Sequence, residues 1–188
     1  MKFLPLPSSF LRIFYVEPLV LKKIFDETES PLVLDADALN IMANRKELID
    51  AIPTGSILTP HPREFERLFG STKNDFERLE LAIQKASQHN IFVILTGFRT
   101  VIITPKGRIY FNITGNPGMA KAGMGDVLTG LLTGLMAQSY PLPEAALIAV
   151  YLHGRAGDIA ADKYSQQAMT ASDVINNIGS AWKELTTA

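Results

Sequence analysis

Apolar positions along the chain fall into short unbroken runs and longer helical stripes. Leu32-Val33-Leu34, Ile57-Leu58 within Ser56–Thr59, and Ile91–Leu95 are brief apolar runs bounded by turn residues, the pattern of buried parallel strands. Val101–Thr104 and Ile109–Ile113 flank Pro105-Lys106-Gly107-Arg108, which predicts an antiparallel hairpin. Between them lie amphipathic stretches. Pro18–Thr28 repeats Leu21, Ile24, Phe25 and Thr28 on one side; Leu39, Ile41 and Met42 define a second helix, and Pro62 opens a third that ends near Gly70. Asn74 or Asp75 starts a helix carrying Leu79, Ala82, Ile83 and Ala86, with Asn90 as its stop. Val127, Leu128, Leu131, Leu132, Leu135 and Met136 mark a buried helix, and Gly130, Gly134 and Ala137 form its small-residue stripe. Pro143 and Ser172-Asp173 begin the last two helices. Gly154 and Gly157 are expected to pack against the Gly130 and Gly134 stripe, and His153 to be a core or helix-face histidine. Strands alternating with helices predict an α/β fold.

Composition narrows the function classes. A chain of 188 residues with 47% hydrophobic and 20% charged residues fits one globular domain. Eighteen Lys plus Arg against nineteen Asp plus Glu give a net charge of -1, which implies no bulk attraction to nucleic acid or membrane. Without cysteine there are no disulfides and no thiolate chemistry, in keeping with a cytoplasmic protein. Met1–Leu21 has an apolar flavour, but Pro5, Pro7, Ser8, Ser9 and Arg12 interrupt it, so neither a signal peptide nor a membrane span is expected.

Candidate chemistry sits where predicted strands end, which is where open parallel sheets bind ligands. Asp35 and Asp37 follow the first strand; alternation sends both to the same side, with Asp37 also a candidate helix cap. His61 is held between Pro60 and Pro62 at the end of the second strand. Thr96-Gly97-Phe98-Arg99-Thr100 follows the third. The stretch Gly115–Gly130 combines flexible backbone, an acid and a helix start: Gly123 and Gly125 leave main-chain N–H groups open to a ligand, and the helix N-terminus favours phosphate. Asp126 beside such a site is either a helix-dipole partner or a base that takes a proton from an attacking hydroxyl. No G-x-x-x-x-G-K-[ST] run is present, which disfavours a P-loop.

Gly123-Met124-Gly125-Asp126, preceded by Asn116-Pro117-Gly118-Met119-Ala120, resembles the anion-hole motif of the ribokinase-like superfamily and in particular the NAD(P)H-hydrate dehydratase family. Leu34–Asn40 and Pro60-His61-Pro62-Arg63-Glu64 resemble further motifs of that family, in its order, over roughly residues 31–173. Lys121 and Ala122 stand where a small hydroxyl residue and glycine are common, Arg63 replaces glycine, and Thr96 replaces lysine. Lys121 or Arg99 could supply the missing charge. The resemblance implies a three-layer ribokinase-like α/β fold with a mostly parallel sheet and a hairpin, as a single domain over residues 1–188 that is short on its N-terminal side. It also implies dehydration of NADHX or NADPHX with ADP or ATP, accompanied by Mg2+; any metal-ligating residues stay unassigned.

In that reading Asp126 is the catalytic base, the N–H groups of Ala122, Gly123, Met124 and Gly125 form the anion hole, and His61, Asp35, Asn116 and Asp126 meet the substrate. The nucleotide is assigned to Thr96, Gly97, Phe98, Arg99, Thr100 and Gly125. Two rivals are a ribokinase-like kinase of a small alcohol, such as a vitamin precursor, and an inactive nucleotide-binding remnant. Family domains carry further strands before Leu32, so this chain is expected to be a fragment of a larger protein or a truncated or divergent member. A sheet ending there is expected to expose apolar surface and to be covered in a homo-oligomer, with Met1–Val16 as a second candidate contact.

Overall fold

A computed structural model describes residues 18–187. Among these residues five strands form one sheet in the order β1 (Val33–Leu34), β2 (Ile57–Leu58), β3 (Phe92–Leu95), β4 (Val101–Ile103), β5 (Ile109–Phe111). The first three are parallel, with Val33 opposite Ile57 and Ile57 opposite Phe92. The hairpin then continues antiparallel, with Ile94 opposite Ile102 and Ile102 opposite Tyr110.

Among the described residues seven α-helices cover the sheet: α1 (Pro18–Glu27), α2 (Asp37–Asn44), α3 (Pro62–Phe69), α4 (Asp75–Gln88), α5 (Met124–Ala137), α6 (Leu142–Ala168) and α7 (Ala171–Thr187). Strand alternation divides the core between the two faces. Leu32, Leu34, Leu58, Val93 and Ile103 face α1 to α4 together with Leu21, Phe25, Leu39, Met42 and Phe65. Val33, Ile57, Phe92, Ile94 and Ile102 face the opposite layer, with Leu128, Leu132, Ala149 and Val150. A third cluster joins α5, α6 and α7 through Val127, Leu152, Ala156, Val174 and Ala181. Helices on both faces of one sheet are the α/β fold that the alternating strands and helices predict, in the three layers that the family resemblance implies.

Three local expectations are revised. Asp37 does not cap α2: it is the first helical residue, and Ala36 occupies the cap position with φ 45° and ψ -107°, conformations in which alternation no longer holds. Leu32, Val33 and Leu34 are only 1–3% exposed, so β1 presents no open apolar surface; Leu19 and Val20 on α1 do. Gly130 and Gly134 do not pack against Gly154 and Gly157. A Cβ at Gly130 or Gly134 would meet nothing within 4 Å, whereas one at Gly154 would lie 2.3 Å from Thr114 Oγ1 and one at Gly157 2.3 Å from Met119 Sδ. The close-packed glycines of α6 therefore receive the loop before α5, not α5 itself. The Met1–Val16 segment lies outside the described residues.

Candidate active site

The strand ends, the hairpin exit and the start of α5 converge on one cleft of about 920 Å3. Asp35 enters it directly from β1. Its Oδ2 accepts a hydrogen bond from the buried Thr129 hydroxyl at 3.0 Å and lies 3.5 Å from where a Gly125 Cβ would stand, so this carboxylate runs beside the first turn of α5. The left-handed Ala36 next to it turns the chain at once into α2, which takes Asp37 away from the cleft wall.

His61 is both a wall of the cleft and the cap of α3. Its Nδ1 accepts from the N–H groups of Arg63 at 3.1 Å and Glu64 at 3.2 Å, while the His61 N–H donates to Glu64 Oε2 at 2.9 Å. This is a capping box with histidine in the role usually taken by serine or threonine. Two donors on Nδ1 place the ring proton of the neutral imidazole on Nε2, which sits 3.5 Å from Glu64 Oε1. The side chain is about half exposed, so Nε2–H is the group His61 can offer a ligand.

The loop after β3 brings Thr96, Gly97, Phe98 and Thr100 to the cleft, but not Arg99. Arg99 Nη1 donates to the Ile113 carbonyl at 3.2 Å, and its guanidinium lies 5.3 Å from the Phe98 ring centre. It braces the loop against the segment leaving β5.

Residues 115–123 are moulded on α6. Asp158 holds Gly115 N–H at 2.9 Å through Oδ2 and the Asn116 amide at 3.0 Å through Oδ1. That amide also donates to the Gly157 carbonyl at 3.1 Å, and Asn116 Oδ1 accepts from Gly118 N–H at 3.0 Å, capping the short 3-10 turn Pro117–Met119. Asn116 thus borders the cleft with its amide group committed to the loop. Lys121 is committed as well: its ammonium donates to the carbonyls of Gln166 at 2.9 Å, Gln167 at 2.7 Å and Met169 at 2.8 Å.

Gly123, at φ 85°, makes the left-handed step that starts α5. Met124 N–H reaches back to the Lys121 carbonyl at 3.4 Å, and Val127 N–H bonds the Gly123 carbonyl at 3.1 Å. Ala122, Gly123, Met124, Gly125 and Asp126 all line the cleft. First-turn amides have no helical carbonyl ahead of them, an arrangement that suits an anion. Gly123, not Asp126, occupies the cap position; Asp126 stands in the first turn.

His153, expected in a core or on a helix face, is on α6 in the cleft wall. Its Nε2 is buried with no hydrogen-bond partner. Burial pushes its pKa down to about 4, against a hydrogen bond with the Met124 backbone that works the other way. The ring is therefore neutral at physiological pH. Sequence reasoning missed Asp158, Thr129 and the anchoring roles of Asn116 and Lys121, because helix-to-loop partners 41 to 94 residues apart leave no local signature.

A family model described as NAD(P)H-hydrate dehydratase matches residues 16–179. The bifunctional NAD(P)H-hydrate repair enzyme Nnr of Moorella thermoacetica is 44% identical over 159 residues, which are 84% of this chain and 30% of that protein. The crystal structure of the ADP/ATP-dependent NAD(P)H-hydrate dehydratase of Bacillus subtilis, co-crystallised with ATP/Mg2+, superposes with a TM-score of 0.74 at 33% identity, covering 87% of this chain and 59% of that one. A ribokinase-like superfamily protein of Enterococcus faecalis, at 24% identity and a TM-score of 0.72 over 89% of this chain and 58% of its own, shares the fold. The chain spans less than two thirds of the length of each of these proteins.

Proposed function

The chain belongs to the NAD(P)H-hydrate dehydratase family, and on that premise we propose that it restores NADH or NADPH from the hydrated forms NADHX and NADPHX, using ADP or ATP. The observation that carries this reading is the meeting of Asp35, His61, the 96–100 loop and the Gly123–Asp126 helix start in a single cleft. Asp126 takes the proton of the substrate's C6 hydroxyl as that oxygen attacks the terminal phosphorus of the nucleotide. The N–H groups of Ala122 to Gly125 hold the charge that grows on the phosphoryl oxygens. In the second step the C6–O bond breaks, phosphate leaves with the bonding pair, a proton leaves C5, and the ring double bond returns.

His61 presents Nε2–H, and Asp35 an acceptor, to the dinucleotide; Asn116 fixes the loop that borders it. Thr96, Gly97, Phe98, Thr100 and Gly125 face the nucleotide, with Arg99 bracing their loop. Since Thr96 replaces lysine and both Lys121 and Arg99 bond backbone carbonyls, phosphate binding rests mainly on main-chain N–H groups. Among the described residues no cluster of three or more His, Cys, Asp or Glu forms a metal cage. Mg2+ fits instead as an ion carried on the nucleotide phosphates, which needs only one or two carboxylates, and Asp35 and Asp126 are the acids at the α5 end of the cleft. In solution we take the protein to be a homo-oligomer, supported by exposed Leu19 and Val20 on α1.

The test is recovery of reduced-nicotinamide absorbance from NADHX with ATP or ADP. The Asp126→Asn variant should lose on the order of a hundredfold or more in turnover, with nucleotide affinity within a few-fold. Near-normal turnover in that variant would reduce Asp126 to a helix-dipole partner. Nucleotide consumption without return of NADH would point to the small-alcohol kinase.

A further inference from the structure

Lys121 is the one charged side chain of the glycine-rich loop that chemistry would first assign to phosphate, and the geometry assigns it elsewhere. Its ammonium has three protons and meets three carbonyls, those of Gln166, Gln167 and Met169, at 2.7 to 2.9 Å. Those carbonyls belong to the short turn that ends α6 and to its cap, where helix-end oxygens have no internal partner. Ser165, at φ 69° and ψ 158°, breaks the helix just before them and turns this final segment toward the loop.

Two neighbours of Lys121 press on the same corner. A Cβ at Gly118 would stand 2.6 Å from the Gln166 carbonyl oxygen, and one at Gly123 3.0 Å from Ala171 Cβ. The loop therefore touches the α6–α7 corner at residues 118, 121 and 123, immediately before the amides that meet phosphate. Only Lys121 holds it there by charge.

We propose that Lys121 is a positioning residue: its ammonium clamps the anion-hole loop to the C-terminal end of α6, fixing where the N–H groups of Ala122 to Gly125 point, and it does not ligate phosphate. The inference rests on the proposed phosphoryl-transfer reading for its kinetic consequence, while the clamp itself is a property of the folded chain. A loop released by even an ångström would still bind nucleotide through the cleft but would meet the developing charge poorly, a loss of roughly 10- to 100-fold in rate.

Lys121→Met keeps the stem and removes the clamp; Lys121→Arg restores two or more donors in a planar fork. Three readouts are taken on wild type and both variants: amide hydrogen exchange across Gly115–Val127, ATP affinity by calorimetry, and kcat and KM for NADHX. The expected result is faster exchange in that segment for Lys121→Met, kcat down about 10- to 100-fold, ATP affinity within threefold, and partial recovery of both exchange and kcat in Lys121→Arg. A tenfold or greater loss of ATP affinity with unchanged exchange would make Lys121 a phosphate ligand and overturn the proposal, as would exchange and kcat both unaltered. If Lys121→Met does not fold, Lys121→Arg carries the same test, expected between wild-type exchange and that of a loop freed of the clamp. Should wild type lack dehydratase turnover, the exchange measurement still decides the clamp, so the two readings fail separately.

Discussion

Replacing glycines by alanine on α5 and α6 separates two kinds of small-residue stripe that look alike in sequence. Gly130 and Gly134 face an open groove of about 590 Å3 between α5 and α7, and an added Cβ at either meets nothing within 4 Å. In a helix interior alanine is favoured over glycine by roughly 0.5–1 kcal/mol. The Gly130→Ala/Gly134→Ala pair should therefore gain about 1–2 kcal/mol, or roughly 2–8 °C in Tm for a domain of this size. Gly154→Ala has the same intrinsic gain, but its Cβ would sit 2.3 Å from Thr114 Oγ1 and 2.8 Å from the Thr114 carbonyl carbon and oxygen. Backbone cannot swing aside, so overpacking of about 1–3 kcal/mol or more outweighs the propensity term. Urea unfolding followed by circular dichroism at several protein concentrations should rank the double α5 variant above wild type and wild type above Gly154→Ala. A destabilised double variant would refute the open-groove reasoning, and if that loss grew with protein concentration it would mean that another subunit occupies the groove.

His61→Ala should lose about 1 kcal/mol of stability with its cap and weaken the dinucleotide substrate, leaving ATP binding largely alone; His61→Asn, which can still cap, should regain the stability but not the substrate affinity. Equal loss of both affinities in a well-folded variant would sink the ligand role. His153 gives a pH dependence. Its folded pKa, about 4, lies below the ordinary 6.5, so the unfolded chain binds the proton more readily. That penalty is absent above about pH 6.5 and grows as pH falls toward 4. Between pH 7 and pH 5 it should amount to about 2 kcal/mol. Unfolding curves of His153→Leu should show a correspondingly shallower acid slope, and an unchanged slope would mean that the histidine is not buried in solution.

Periodicity alone located the strands at Leu32–Leu34, Ser56–Thr59 and Ile91–Leu95, the hairpin and most helix limits, because each is a local pattern with turn residues at its ends. Asp35, His61 and Asp126 could be picked out for a related reason: each follows a strand or opens a helix where a parallel sheet gathers ligands. The failures are tertiary. Alternation misplaced Asp37 because Ala36 leaves the extended region, which no neighbour-counting rule anticipates. His61 carried a readable capping signal in Pro62 and Glu64, overlooked because histidine is an uncommon cap. A small-residue stripe states that a backbone or a void lies opposite and not which, so Gly130 and Gly154 were assigned the wrong partners.

The division of the core between the sheet's two faces also sets an order of events on the ribosome. Among the described residues the cluster under α1 to α4 draws only on positions between Leu21 and Ile103, so that part of the core is in place once the first strand of the hairpin has emerged. The opposite face, with Val33, Ile57, Phe92 and Ile94, waits for α5 and then for Ala145 to Val150 of α6. At about 5–20 residues per second that interval is roughly 2–9 s, during which an apolar sheet face is bare. Nascent chains of this protein should accordingly bind chaperones in a window that opens near residue 103 and closes with the synthesis of α6.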